Sequence, residues 1–315
     1  MAAHELLLGV DLGGTKTEAV VLRWHDGAVL DEVVRQRVPT DRDRGYDAIV
    51  TTTALLVESV ARRAGRDAKS LPIGVGMPGA VRRGDGCVKN SNTTCLNGRP
   101  FREDLQRALG CAVRFDNDAN CFALAETTFG AARGHRQGVV FGVIVGTGVG
   151  GGVVCQGRVW SGPHGISGEW GHHAVYALPP GQREVCVLRP CYCGNRGCVE
   201  TYVSGPAVER DYACRAGNVR TMQDIAAVRA VDPHARAAFD LFLDAFSRAL
   251  ANVIDVLDPS AIVLGGGLSN LDALYDEGRA KVAAYVFNDE LTTPILRPEL
   301  GDSAGVIGAA LLSHQ

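Results

Sequence analysis

No stretch of this 315-residue chain approaches the roughly 20 consecutive apolar residues of a membrane-spanning helix. The short apolar run Leu6–Val10 stops at Asp11, so it reads as a strand and not as a signal peptide. A cytoplasmic protein without a membrane partner is the expectation. An excess of positive charge is also lacking: 32 Lys and Arg face 35 Asp and Glu, for a formal net charge of -3. That argues against a general binder of nucleic acid or anionic membranes. No low-complexity linker separates independent domains. Neither GxxxxGK[ST] nor a GxGxxG that opens a helix occurs, which disfavours P-loop and dinucleotide-binding folds.

Cysteine, by contrast, is plentiful. There are 10, and three crowd into Cys191–Cys198. They are not spaced as in a small secreted scaffold, and a chain of this length needs no such staples. The others are scattered, as small buried apolar residues usually are.

The start reads as an antiparallel meander. Leu6–Val10 is followed by the glycine turn Asp11–Thr17, a strand Glu18–Arg23, a turn at His25-Asp26-Gly27, and an alternating strand Val29–Val38. Asp47–Ala64 has helical spacing and stops at Gly65, and Pro72–Gly76 is a short strand. The grammar returns later: strand Gly138–Val145, glycine turn Gly146–Gly152, strand Val153–Val159. A duplicated architecture with two related lobes is predicted. Ala112–Phe115 runs into a helix from Asn117 to about Phe129, capped by Asp116 or Asn117. A second helix, with apolar positions from Phe239 to Leu257, ends at Asp258-Pro259. The buried strand Ala261–Leu264, Gly265-Gly266-Gly267 and another helix follow.

Three groups of residues could carry chemistry. The first is the set of glycine turns at Asp11–Thr17, Gly146–Gly152 and Gly265–Gly267, each after an apolar strand. Glycine lets phosphate oxygens approach backbone amides. Thr15, Thr17 and Thr147 add hydroxyls, Lys16 adds charge, and Asp11 is placed to hold Mg²⁺ through water. Ordinary hairpin turns would account for any one of them. The second is Asp116-Asn117-Asp118-Ala119-Asn120. Plain capping explains part of it, but an aspartate kept ionised at a helix N-terminus can also accept a proton from an attacking hydroxyl. The third is Cys191, Cys193 and Cys198 with His172 upstream. Three thiolates and an imidazole suit a closed tetrahedral Zn²⁺ site, with a disulfide as the competing reading. Such a site would bring Glu169 near Glu200.

Taken in order, these motifs resemble those of the ROK family of sugar kinases and related repressors. The resemblance rests on Asp11–Lys16, Gly76–Gly79, Asn117–Asn120, Gly146–Gly152, Glu169–His172, Cys191–Glu200 and Gly265–Gly267, and it spans nearly the whole chain. It implies a two-lobed α/β fold of the actin-like ATPase (ribonuclease H-like, hexokinase) type with a structural zinc loop. The expected lobes are 1–117 for sugar and phosphate and 118–315 for nucleotide and zinc, the last helix crossing back.

By the same resemblance, Asp118 is the catalytic base. Gly79, Asn92, Asn117, Asp118, Glu169, His172 and Glu200 contact the sugar. Gly9, Asp11, Gly13, Gly14, Thr15, Lys16, Gly146, Thr147, Gly148, Gly150, Gly265, Gly266 and Gly267 serve ATP. His172, Cys191, Cys193 and Cys198 ligate zinc. The expected partners are a free hexose, ATP with Mg²⁺, and a second copy of the chain in a homodimer.

Within the family, Val88–Asn92, Leu96–Gly98, Gly168–His172 and Pro190–Gly194 look like bacterial fructokinases, so fructose to fructose 6-phosphate is the leading expectation. N-acetylglucosamine kinase or glucokinase is the alternative. A sugar-responsive repressor is disfavoured, because Asp11 arrives too early for a preceding helix-turn-helix domain. A sugar sensor without chemistry is disfavoured by Asp118, Asp11 and the glycine turns.

Overall fold

The computed structural model describes residues 5–25, 29–82, 84–176 and 188–315. Asp26 and Gly27 of the expected turn, and Cys186, lie outside the described residues. In chain order the strands and helices are β1 (Glu5–Leu12), β2 (Lys16–His25), β3 (Val29–Pro39), α1 (Tyr46–Arg63), β4 (Ile73–Met77), β5 (Ala80–Val81), β6 (Val88–Lys89), α2 (Phe101–Leu109), β7 (Arg114–Asn117) and α3 (Asp118–Thr128). Then come β8 (Val139–Val145), β9 (Val149–Cys155), β10 (Arg158–Val159), α4 (Glu200–Val203), α5 (Gly205–Ala216), α6 (Met222–Val228), α7 (Pro233–Leu257), β11 (Ala261–Gly265), α8 (Glu277–Ala283), β12 (Ile295–Leu296) and α9 (Ala304–Leu312).

Two five-stranded sheets repeat one order. The first is β3-β2-β1-β4-β7 and the second β10-β9-β8-β11-β12. In each, an antiparallel hairpin leads into parallel strands: β1 pairs antiparallel with β2 and parallel with β4, and β8 pairs parallel with β11. This is the strand order of the actin-like ATPase fold, and the expected duplication is present at the level of topology. The second copy is reduced at its edges, where β10 and β12 have two residues each.

By contacts the chain divides into residues 1–137, 152–167 and 299–315 as one unit, and 138–151 and 168–298 as the other. The division does not fall at 117/118. Helix α3 stays with the first unit because it packs against α9, and α9 lies along β1 and β4. The fit there is backbone to backbone. A Cβ on Gly308 would lie 1.8 Å from the Cys121 carbonyl oxygen, and one on Gly74 would lie 1.9 Å from that of Ala309. The last helix, α9, belongs to the first unit.

The core of the first unit sets the inward faces of β1, β2 and β4 against α1 and α2, with Leu8, Val10, Val57, Val75 and Phe101 fully enclosed. Helix α1 reads helical because Ile49, Thr53, Leu56, Val57 and Val60 recur at i, i+3, i+4 and i+7 and form its buried stripe. In the second unit, Asp232 caps α7 by accepting from the amides of His234 (2.9 Å) and Ala235 (3.1 Å). The helix stops at Asp258, which takes a left-handed conformation before Pro259.

Two element expectations change. The strand read as Val153–Val159 begins at Val149, with Gly150–Gly152 inside it, and ends at a Gln156-Gly157 turn before β10. Glycine is tolerated there because neighbours press on the strand: a Cβ on Gly152 would meet the Ala119 carbonyl oxygen at 2.5 Å. After Gly265–Gly267, short 3-10 turns at Gly267–Asn270 and Asp272–Leu274 precede the helix α8. Among the described residues, no helix is long and apolar enough to cross a membrane.

Candidate active site

Three neighbouring strands of the first unit end in a row. Asp11 of β1 lies beside Gly76 of β4, and Gly76 beside Asp116 of β7, so the polar motifs of three separated segments share one sheet end. Asp11 also faces Glu18 across the hairpin. Glu18 is buried, and it accepts from Arg37 (2.9 and 3.0 Å) and Arg35 (2.8 Å), which neutralises it. Asp11 has no hydrogen bond or ion pair among the described residues. Burial, followed by the charge of Glu18, pushes its carboxyl up to about 6, against the opposing pull of Lys16 and Arg37. An unpaired, desolvated carboxylate is the kind of group that a hydrated Mg²⁺ would stabilise, so the residue fits its expected role.

The turn after β1 is closed by its own backbone, Gly13 N–H to Lys16 C=O at 3.0 Å. The Thr40 hydroxyl, which sequence reasoning missed, donates to the Gly13 carbonyl at 2.7 Å. Thr17 does not serve as a phosphate donor here: its hydroxyl is buried and shared with that of Thr40 at 3.0 Å. Thr15 and Lys16 are exposed. Gly14 lies against the Asn92-Thr93 segment, since a Cβ on it would be 4.0 Å from Asn92 Oδ1. One expected sugar contact therefore borders the phosphate turn.

Asn117, not Asp116, caps α3, accepting from the Ala119 amide at 2.8 Å. Its amide donates to the Gly79 carbonyl at 2.9 Å and so holds that loop. Gly79 has φ +86°, and a Cβ there would meet the Lys89 carbonyl oxygen at 2.5 Å, so the position requires glycine. Asp116 is committed to structure, accepting from the Asn117 amide (2.7 Å), Asn120 Nδ2 (2.6 Å) and the Ser161 hydroxyl (2.7 Å). Asp118 is the first residue of α3, at the helix N-terminus, and its Oδ1 accepts from the Ala119 amide at 2.9 Å.

In the second unit three of the four remaining motifs meet at the Gly146 turn. The Gly146 amide bonds the Gly148 carbonyl at 2.9 Å, and a Cβ on Gly146 would lie 3.6 Å from the Gly267 amide nitrogen, so these two glycine turns are neighbours. Thr147, Gly148 and Gly150 belong to the same turn and strand start. Gly266 has φ +80° and presses on Val145, where a Cβ would be 2.4 Å from the carbonyl oxygen. Gly265 ends β11. Glu200 accepts from the Val149 amide at 2.9 Å, which ties the end of the cysteine loop to the Gly146 turn.

Trp170 anchors the Glu169–His172 motif. It is buried edge-on between Phe141 and Phe246 and donates to the Gly150 carbonyl at 2.8 Å. Gly171 lies so close to β9 that a Cβ would meet the Val149 carbonyl oxygen at 2.3 Å.

His172, Cys191, Cys193 and Cys198 have ligand atoms that all lie within 4.8 Å of one another. Cys193 and Cys198 Sγ are 3.6 Å apart, and Cys191 Sγ is 3.5 Å from His172 Nδ1. A tetrahedral zinc would hold two sulfurs about 3.8 Å apart and a sulfur and nitrogen about 3.5 Å apart. The set therefore fits the ion. The Cys191 amide bonds the Asn195 carbonyl at 2.9 Å, and Gly194, at φ +93°, turns the loop back. Tyr192 was not singled out from sequence. Its hydroxyl lies 3.0 Å from His172 Nε2, which leaves Nδ1 for the metal.

Residues 7–315 match the ROK family. The chain belongs to that family. Its place there is among the sugar kinases: it is 36% identical over 311 residues to an N-acetyl-D-glucosamine kinase of Photobacterium profundum, covering 97% of this chain and 98% of that protein. It is 36% identical over 308 residues to an N-acetylgalactosamine kinase of a Shewanella species, covering 97% and 96%. Among solved structures it resembles a ROK hexokinase from Thermus thermophilus, with a TM-score of 0.82, 32% identity and 98% of each chain covered. It also resembles a ROK glucokinase from Streptomyces griseus in complex with glucose and AMPPNP, with a TM-score of 0.74, 28% identity, and 98% and 99% covered.

Proposed function

We propose that this chain transfers the γ-phosphoryl group of ATP to a hydroxyl of a free N-acetylhexosamine, with N-acetylglucosamine preferred to fructose. The observation that carries this reading is full-length similarity to kinases named for N-acetylglucosamine and N-acetylgalactosamine. The fructokinase expectation rested on short stretches such as Val88–Asn92, and the alternative named beside it now has the stronger support. Glucose is the second acceptor to consider, given the likeness to a glucokinase.

In this reading Asp118 accepts the proton of the attacking hydroxyl as the oxygen–phosphorus bond forms, and the N-terminus of α3 favours its ionised state. Asn117 keeps one amide hydrogen and one acceptor lone pair beyond its bonds to Ala119 and Gly79, enough for a sugar hydroxyl. Gly79, Asn92, Glu169, His172 and Glu200 are the further sugar contacts of this reading. Gly9 serves indirectly: a Cβ there would meet the Val306 carbonyl oxygen at 2.3 Å, so it lets α9 back the strand that carries Asp11. Gly13–Lys16, Gly146–Gly150 and Gly265–Gly267 offer amides to the nucleotide. Mg²⁺, when bound near Asp11, would screen the phosphate charge. Zn²⁺ on His172, Cys191, Cys193 and Cys198 would fix the loop that carries Glu200. A homodimer is the proposed assembly, checked by sedimentation.

Initial rates of ADP release on N-acetylglucosamine, N-acetylgalactosamine, glucose, mannose and fructose at subsaturating concentrations test the proposal. A higher kcat/KM for fructose than for N-acetylglucosamine would restore the first expectation. No ADP release with any sugar would overturn the kinase reading.

A further inference from the structure

The first unit contains a cavity of about 330 Å³ whose lining includes Gly79, Asn117, Arg102 and Ser161. Asp118 and the Gly13-Gly14 turn are not among the described residues that line it. Its volume is roughly ten times a water molecule's share of the liquid, far more than one sugar hydroxyl fills. Part of the wall is apolar, formed by Met77, Ala80, Val81 and Phe115.

The polar groups in the cavity are not equivalent. Asp116 is saturated by Asn117, Asn120 and Ser161. Arg82 is paired with Asp85 at 2.6 Å. Arg102, in the first turn of α2, is half-buried and lines the cavity, yet it has no ion pair, hydrogen bond or ring contact among the described residues. A guanidinium only donates, so it calls for an acceptor oxygen. A group that suits both features has a carbonyl oxygen for Arg102 and a small apolar end for the wall.

We propose that this cavity is the subsite for the acylamino substituent of the sugar, with Arg102 donating to the acyl carbonyl and Val81, Ala80, Met77 and Phe115 covering the methyl. The inference rests on the N-acetylhexosamine reading above and adds the residues that would enforce it. Arg102 is here a specificity residue: it touches the substituent and not the reacting atoms.

The measurement is the ratio of kcat/KM for N-acetylglucosamine to kcat/KM for glucose. Arg102→Ala should lower that ratio about tenfold or more, mainly through a higher KM for the acylated sugar, because a charged donor to a buried carbonyl is lost. Arg102→Lys should recover part of the ratio. Val81→Phe, which fills the cavity without touching Arg102, should lower it as well. General damage to folding scales both sugars together and leaves the ratio alone. A ratio within twofold of the unmodified enzyme in both Arg102→Ala and Val81→Phe overturns the subsite. If the unmodified enzyme phosphorylates glucose and not N-acetylglucosamine, the acceptor reading itself falls, and the subsite with it.

Discussion

Replacing Asp11 with Asn should move stability and activity in opposite directions. The folded protein holds the Asp11 carboxyl near 6, against an ordinary value of 3.8, because burial disfavours its charged form. A raised folded value means that the native state binds more protons than the unfolded chain between these two pH values. Stability therefore falls as pH rises through that window, and the loss is complete above about pH 6. A shift of this size corresponds to a cost of about 3 kcal/mol for the ionised carboxylate at pH 8, and to roughly half of that at pH 5. The Asn variant has no such cost, although its amide hydrogens need partners, worth about 1–2 kcal/mol of the other sign. The second effect does not depend on pH. The stability difference, variant minus unmodified, should thus widen by on the order of 1 kcal/mol between pH 5 and pH 8. Urea unfolding without added Mg²⁺ at both pH values reads it directly. Turnover with saturating ATP and sugar should fall at least 10²-fold, because no carboxylate remains at this position to hold the hydrated Mg²⁺. Equal pH dependence in the two proteins would show that the Asp11 carboxyl is not raised. Full turnover in the variant would remove Asp11 from the phosphate site.

Asp118→Asn should lower kcat by about 10²–10⁴-fold while sugar affinity by calorimetry stays within a few-fold, and near-normal turnover would eliminate it as the base. Protein purified without chelator should contain about one zinc per chain by atomic emission, and Cys198→Ser should lose the metal, unfold at a lower temperature and bind sugar more weakly; no zinc in the unmodified protein refutes the site. Gly308→Ala, which would drive a methyl into the Cys121 carbonyl, should destabilise by about 2–3 kcal/mol in urea despite alanine's better helix propensity, and a neutral result would mean that α3 and α9 separate freely.

Much of this was legible before the fold was known. Helices α1 and α7 declare themselves because a half-buried helix must repeat its apolar side chains, whereas β1 and β2 do so as unbroken apolar runs buried on both faces. Asp11, Asn117 and Asp118 stood out because their residue types are poor choices for a core, and the cysteine loop because three thiols crowd into Cys191–Cys198. What stayed hidden depended on contacts distant in sequence. Thr40 closes the Gly13 turn from 27 residues away, and Ser161 saturates Asp116 across 45. Nothing in their local sequence marks either one. Arg102 belongs to no motif, and nothing in its local sequence marks it. The Gly150–Gly152 run was taken for a turn because glycine usually punctuates, whereas here the strand needs it for close approach to Ala119 and Trp170. The choice between fructose and an N-acetylhexosamine was beyond motif reading, since the catalytic and phosphate residues serve both.

The chain passes between its two units four times, after residues 137, 151, 167 and 298, and the last passage bears on the gene. A stop codon near position 298 looks like the loss of a short tail. It would instead delete α9, the helix against which β1 and β4 of the first sheet rest, and uncover Gly9 and Gly74, which have no side chains of their own to shield the backbone. Expression libraries built on half-genes should therefore return insoluble N-terminal fragments. Co-expression with a separate 299–315 peptide is the way to recover that unit on its own.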